Sequence, residues 1–160
     1  MAEIVELPSA AEERRDRPKP WRNGAGALRT DEVYVLFTSL DETLAAVRAA
    51  KRLAAALGSG VTLIHLRTVP WGAPVEEPGG RSPLEAEAVV DRLAAEDVGV
   101  HVQVYLCRDA RRAISSAFKG RSLIVIGGRR HWWPTRSDRW RRTLEAEGHL
   151  VMCVDEATHA

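Results

Sequence analysis

A chain of 160 residues with 45% hydrophobic and 28% charged content has the composition of one globular domain with room for a sizeable core. Its formal net charge of +1 excludes a global electrostatic case for nucleic acid or an anionic membrane, so any such case must rest on local clustering. Cys107 and Cys153 stand in apolar runs without metal-ligand spacing, which predicts buried free thiols rather than a disulfide and fits a reducing cytoplasm.

The opening stretch, MAEIVELPSAAEERRDRPKP, has no apolar leader, and no run of the chain is apolar over a bilayer-spanning length. A cytoplasmic protein without membrane insertion is expected. Met1 to about Thr30 combines three prolines, a charge-dense middle and no sustained apolar period, which predicts a disordered or loosely docked arm. Its basic half carries Trp21, a candidate for docking on the domain or on a partner. Residues 31–156 then read as one domain, with 157–160 as a tail.

Val33 to Thr38 is a continuous apolar run suited to a strand buried on both faces, and Ser39 to Glu42 (SLDE) has the pattern of a capping box. The alanine-rich helix that follows places Ala46, Ala50, Leu53 and Leu57 on one face, with Gly58 where it should end. Val61 to Leu66 is the second strand. Ser82 to Glu85 (SPLE) is a second capping box, opening a helix to about Glu96 that presents Val89, Val90 and Leu93. His101 to Cys107 is the third strand, and Asp109 caps a short helix with an apolar face of Ala113, Ile114, Ala117 and Phe118. Gly120 closes that helix.

Ser122 to Ile126 is the fourth strand and empties into Gly127-Gly128. Thr135 to Asp138 resembles a capping box, Trp140 and Leu144 give the last helix an apolar face, and Gly148 precedes a fifth strand, Leu150 to Val154. Alternating strands and helices predict an α/β fold with a five-stranded parallel sheet and helices on both faces. A strand that ends in a glycine turn and leads to a helix is where such folds bind phosphate. The candidate anion or nucleotide site is therefore Thr38, Gly127, Gly128, Arg129, Arg130 and Ser137.

From Val33 to Asp155 the chain resembles the universal stress protein family. The likeness is carried by the buried first strand with its alanine-rich helix, by the segment Asp109–Gly127 (DARRAISSAFKGRSLIVIG), and by the terminal helix and strand. The resemblance implies an adenine nucleotide alpha hydrolase-like fold with strand order 3-2-1-4-5 and any nucleotide at the carboxyl edge between strands 1 and 4. ATP-binding members carry aspartate where this chain has Thr38 and glycine where it has Arg130, and Ser137-Asp138 are placed where they have a glycine and a hydroxyl residue. Arginine adds bulk and disfavours positive φ where backbone must approach phosphate, and Asp138 adds like charge. No cofactor is expected; ATP or another nucleotide held by an altered phosphate loop is the alternative.

Between Arg129 and Arg142 stand six arginines, Trp132, Trp133, Trp140, His131 and one acid, Asp138. Guanidinium forks bind phosphate or carboxylate, and indole faces stack on bases or guanidinium. The segment reads as a contact for an anionic small molecule or an acidic protein partner. The competing reading is that Trp132, Trp133 and Pro134 pack the loop on the sheet edge while the arginines stay solvated. No nucleic-acid reader motif is present, so nucleic acid is not expected. Ser39 lacks a nucleophile-elbow context and the five histidines lack metal-ligand spacing, so a hydrolase or transferase is the weaker alternative to a regulatory or interaction module of the stress response.

The fifth strand is apolar on both sides, with Leu150, Met152 and Val154 on one and Val151 and Cys153 on the other. In the order 3-2-1-4-5 it is an edge, and it has no lysine, proline or bulge to discourage pairing. A homodimer joined along this strand is expected.

Overall fold

The computed structural model describes residues 3–7, 29–72, 88, 90–93, 99–118, 120–128 and 134–155. Its elements are β1 (Glu3–Leu7), β2 (Arg29–Leu36), α1 (Leu40–Leu57), β3 (Gly60–Thr68), β4 (His101–Cys107), α2 (Ala110–Ala117), β5 (Ser122–Gly127), α3 (Arg136–Ala146) and β6 (Leu150–Val154). The sheet has six strands in the order β1-β4-β3-β2-β5-β6. The five strands from β2 onward pair in parallel. Counted from β2, their order is the expected 3-2-1-4-5.

The sixth strand departs from expectation. Glu3–Leu7 pairs antiparallel with β4, Ile4 opposite Tyr105 and Val5 opposite Val104. The first part of the arm is thus docked by backbone hydrogen bonding, and β4 is an interior strand. A five-residue run with two β-branched residues suffices once a neighbouring edge offers its unpaired N–H and C=O groups, a partner that local sequence does not reveal. Residues 8–28, including Trp21, lie outside the described residues, as do the capping box at 82–85 and Val89.

Period-two alternation divides the interior strands between two layers. Val33, Val35, Leu63 and Val125 meet Leu44, Ala46, Val47 and Ala50 of α1 and the helical residue Leu93. On the opposite face, Leu36, Ile64, Ile124 and Ile126 meet Ala113 and Ile114 of α2 and Leu144 of α3. Leu36, Leu63, Ile64, Ile114, Ile124, Ile126 and Leu144 are fully buried. Each such side chain contributes on the order of 1.5–3 kcal/mol of transfer free energy. Helices therefore cover both faces, as alternating elements require. None of the helices among the described residues is long and apolar enough to cross a membrane.

Several local signals operate as the residues suggest, and some do not. Gly58 ends α1 in the left-handed region at φ 66°, and Asp109 caps α2 by accepting from the Arg111 N–H at 2.9 Å. Thr135 and Asp138 form a reciprocal capping box on α3. At α1, however, Ser39 makes no cap to the backbone; its hydroxyl donates to Glu42 Oε2 at 2.9 Å. Leu57 lies on the apolar stripe of α1 but is the helix's last residue and is 43% exposed. Cys107 is buried as expected, whereas Cys153 is exposed because β6 is the outermost strand; both are free thiols.

Among the described glycines that substitution by alanine would crowd, Gly127 at the end of β5 meets the backbone of α1 most closely. A Cβ built on Gly127 would stand 1.9 Å from the Glu42 carbonyl oxygen, and one on Gly128 would stand 3.4 Å from the Ser137 Cβ. Gly127→Ala is expected to destabilise the fold by at least about 2 kcal/mol, since backbone on both sides must shift. Gly128→Ala, in ordinary contact, is expected to change stability by less than about 1 kcal/mol. Urea denaturation of the two variants beside the unaltered chain checks this; equal effects would show that α1 yields easily.

Candidate functional site

The strand order reverses direction at β2, whose neighbours are β3 and β5, and the crevice at the carboxyl ends of β2 and β5 is where open parallel sheets place ligands. Three of the expected site residues meet there. Thr38 follows β2, Gly127 ends β5, and Ser137 lies in the first turn of α3. The Thr38 hydroxyl donates to the Gly127 carbonyl at 3.2 Å, and the Ser137 hydroxyl donates to the same oxygen at 3.4 Å. The Thr38 N–H is directed back to Thr43 Oγ1 at 3.2 Å. Gly128 continues the β5–β6 pairing, its N–H donating to the Val154 carbonyl at 3.0 Å. Arg129 and Arg130 lie outside the described residues, together with His131, Trp132 and Trp133.

The chemistry of this junction is set by a carbonyl. The hydroxyl protons of Thr38 and Ser137 are both directed at Gly127 O, and a carbonyl oxygen repels an anion. The α1 N-terminus, a usual source of free N–H groups and positive dipole, carries Asp41 and Glu42 in its first turn. Those carboxylates already complement the dipole. At α3, Asp138 is committed as well: Thr135 N–H and Oγ1 both donate to Asp138 Oδ2, at 2.9 and 3.0 Å, and Arg141 lies 4.0 Å from Oδ1. The hydrogen bonds from Thr135, followed by the nearby arginines, hold this carboxyl below its ordinary value.

Beside the junction, on the α1 side of the sheet, His65 of β3 stacks on Phe37 with ring centroids 4.3 Å apart. It is 6% exposed, and its Nδ1 has no hydrogen-bond partner among the described residues. Burial, then the charges of Arg67 and Arg136, lower its pKa from 6.5 to about 4. Neutral imidazole is the form the fold accepts.

Sequence reasoning missed two features of this region. Thr43 closes the loop after β2, but its role depends on the backbone path through Thr38 and leaves no local pattern. Arg111 belongs to α2, and packing brings it to the arginines of α3: Arg111, Arg136, Arg139 and Arg142 line one open cleft with Ala110, Ile114, Trp140 and Thr143. The cation two residues after the Asp109 cap is visible in sequence, while its neighbours are not. Among the described residues, no group of three or more His, Cys, Asp or Glu side chains is placed to hold a metal ion.

Compared with models of known protein families and with curated proteins, the chain matches none.

Protonation of His65 gives a stability signature. Between pH 6.5 and about 4 the unfolded chain binds the proton that the folded chain refuses. Stability from this group is therefore complete above pH 6.5 and is lost as pH falls through about 4, by up to about 3 kcal/mol. His65→Phe, which retains the ring contact with Phe37, should flatten the slope of unfolding free energy against pH in this window. Parallel slopes for the two proteins would assign the acid sensitivity to other groups.

Proposed function

We propose that this chain is a universal stress protein-like regulatory or interaction module that does not hold ATP at the crevice between β2 and β5. The observation that carries this reading is the Gly127 carbonyl, which takes the hydroxyl protons of both Thr38 and Ser137 at the carboxyl edge of β2 and β5. The carboxylates of Asp41 and Glu42 at the α1 N-terminus support it. The contact for a ligand or partner is instead the arginine-rich segment from Arg129 to Arg142, whose one acid is engaged with Thr135 and Arg141. An anionic small molecule or an acidic protein surface fits that chemistry. Titration of the isotope-labelled chain with magnesium and ATP, followed through backbone amide resonances, is expected to leave Thr38, Gly127 and Gly128 unshifted up to about 1 mM. Saturating shifts of these amides at micromolar ATP, about 8 kcal/mol of binding free energy at 1 μM, would restore a nucleotide to the crevice.

We further propose a homodimer joined through β6. Leu150 is 48% exposed and Cys153 is exposed, so the apolar strand has a partly uncovered surface. Because the Val154 carbonyl points inward to Gly128, alternation directs the backbone groups of Val151 and Cys153 outward along the free edge. Two-fold pairing with a second copy satisfies them. Val151→Pro deletes an outward N–H without touching the β5 ladder, and is expected to convert a dimer to a folded monomer of 17.7 kDa in light scattering after gel filtration. A monomer for the unaltered chain, or a dimer that survives the proline, would refute this interface.

A further inference from the structure

The cleft between α2 and α3 has a volume of about 630 Å³ and is lined by Arg111, Arg136, Arg139 and Arg142 together with Ile114 and Trp140. No carboxylate is among its lining residues in the described part of the chain. Two of the acids near it in sequence are engaged: Asp109 accepts from the Arg111 N–H, and Asp138 accepts from Thr135 and faces Arg141. Glu147 accepts from the Ser115 hydroxyl, joining the carboxyl-terminal parts of the two helices. Arg141 is directed away from the cleft, toward Asp138 and the edge-strand residue Cys153.

Three physical features make this arrangement unlike an ordinary solvated surface. Four exposed arginines from two separate helices line one concavity of a chain whose net charge is only +1. Arg111 and Arg136 also stand in the first turns of their helices, at the positive ends of the dipoles, where cations are unfavourable and anions are stabilised. The half-buried Trp140 gives the cleft an apolar wall, with the Arg136 guanidinium 5.0 Å from its ring. The cleft is open to solvent, and its volume lies within the range of about 300–1,000 Å³ common to small-molecule sites.

We propose that this cleft binds a small phosphorylated organic anion, with Arg111, Arg139 and Arg142 on the phosphate groups and the carbon portion of the ligand against Trp140. The proposal builds on the reading of the Arg129–Arg142 segment as an anion contact, and it moves the site from the loop to the helix pair. Guanidinium forks match phosphate oxygens bidentately, and concentrated phosphate charge suits four cations in one cleft better than an extended acidic chain does. The volume exceeds what inorganic phosphate groups alone occupy, which leaves room for an organic part.

The test uses the full chain at 150 mM salt, titrated with inorganic triphosphate and with fructose 1,6-bisphosphate and followed by arginine Nε–Hε resonances and calorimetry. Both probes are expected to shift Arg111, Arg139 and Arg142. Arg111→Gln and Arg139→Gln should each weaken binding at least about tenfold, as loss of a charge-assisted contact does. Arg141→Gln, on the other side of α3, should stay within about twofold. Absence of binding by either probe at millimolar concentration overturns the proposal. Loss of binding in Arg129→Ala with Arg130→Ala, but not in Arg111→Gln, also overturns it while leaving the loop as the anion contact. Binding of decaglutamate or a single-stranded oligonucleotide through the same arginines, with neither small probe bound, would replace the occupant and defeat this assignment.

Discussion

The first turn of α1 rests on the backbone of Gly127 with no space for a methyl group between them. That contact depends on the alanine stripe of α1, since Ala46, Ala50 and Ala54 are buried and let the helix axis approach the sheet. With the helix so close, Thr38 lies against the end of β5, and its hydroxyl reaches the Gly127 carbonyl. Ser137 converges on the same oxygen from α3. Tight packing at the crossover thus commits both hydroxyls to a backbone carbonyl at the sheet edge where open parallel sheets place ligands.

The two helical layers differ in charge at their amino ends. α1 starts with Asp41 and Glu42, which complement its own dipole. α2 and α3 place Arg111, Arg136 and Arg139 in or near their first turns and direct them into a shared cleft.

The two outer strands end the sheet in different ways. β1 adds antiparallel to β4 and makes that strand interior, and β6 follows β5 in parallel and leaves the outward backbone groups of Val151 and Cys153 at the edge. Polar exposure of β4, whose Gln103 and Val104 are half-buried, is consistent with its position near one margin of the sheet.

Sequence by itself determined the α/β class, the parallel core and most helix ends. Continuous apolar runs such as Val33–Leu36 and Leu123–Ile126 have a strand's length and need cover on both faces, and Gly58, Asp109 and the pair Thr135–Asp138 act through neighbours within a few residues. The convergence of Thr38, Gly127 and Ser137 was legible as proximity, because motif positions at strand ends meet at one sheet edge. Its polarity was not: which way each hydroxyl donates depends on the approach of α1 to β5, a contact across 85 residues of chain between Glu42 and Gly127. Tertiary structure alone also decided that Glu3–Leu7 joins β4, that Leu57 ends exposed and that Arg111 faces the α3 arginines. In each case the deciding partner is distant in sequence, and local periodicity carries no information about it.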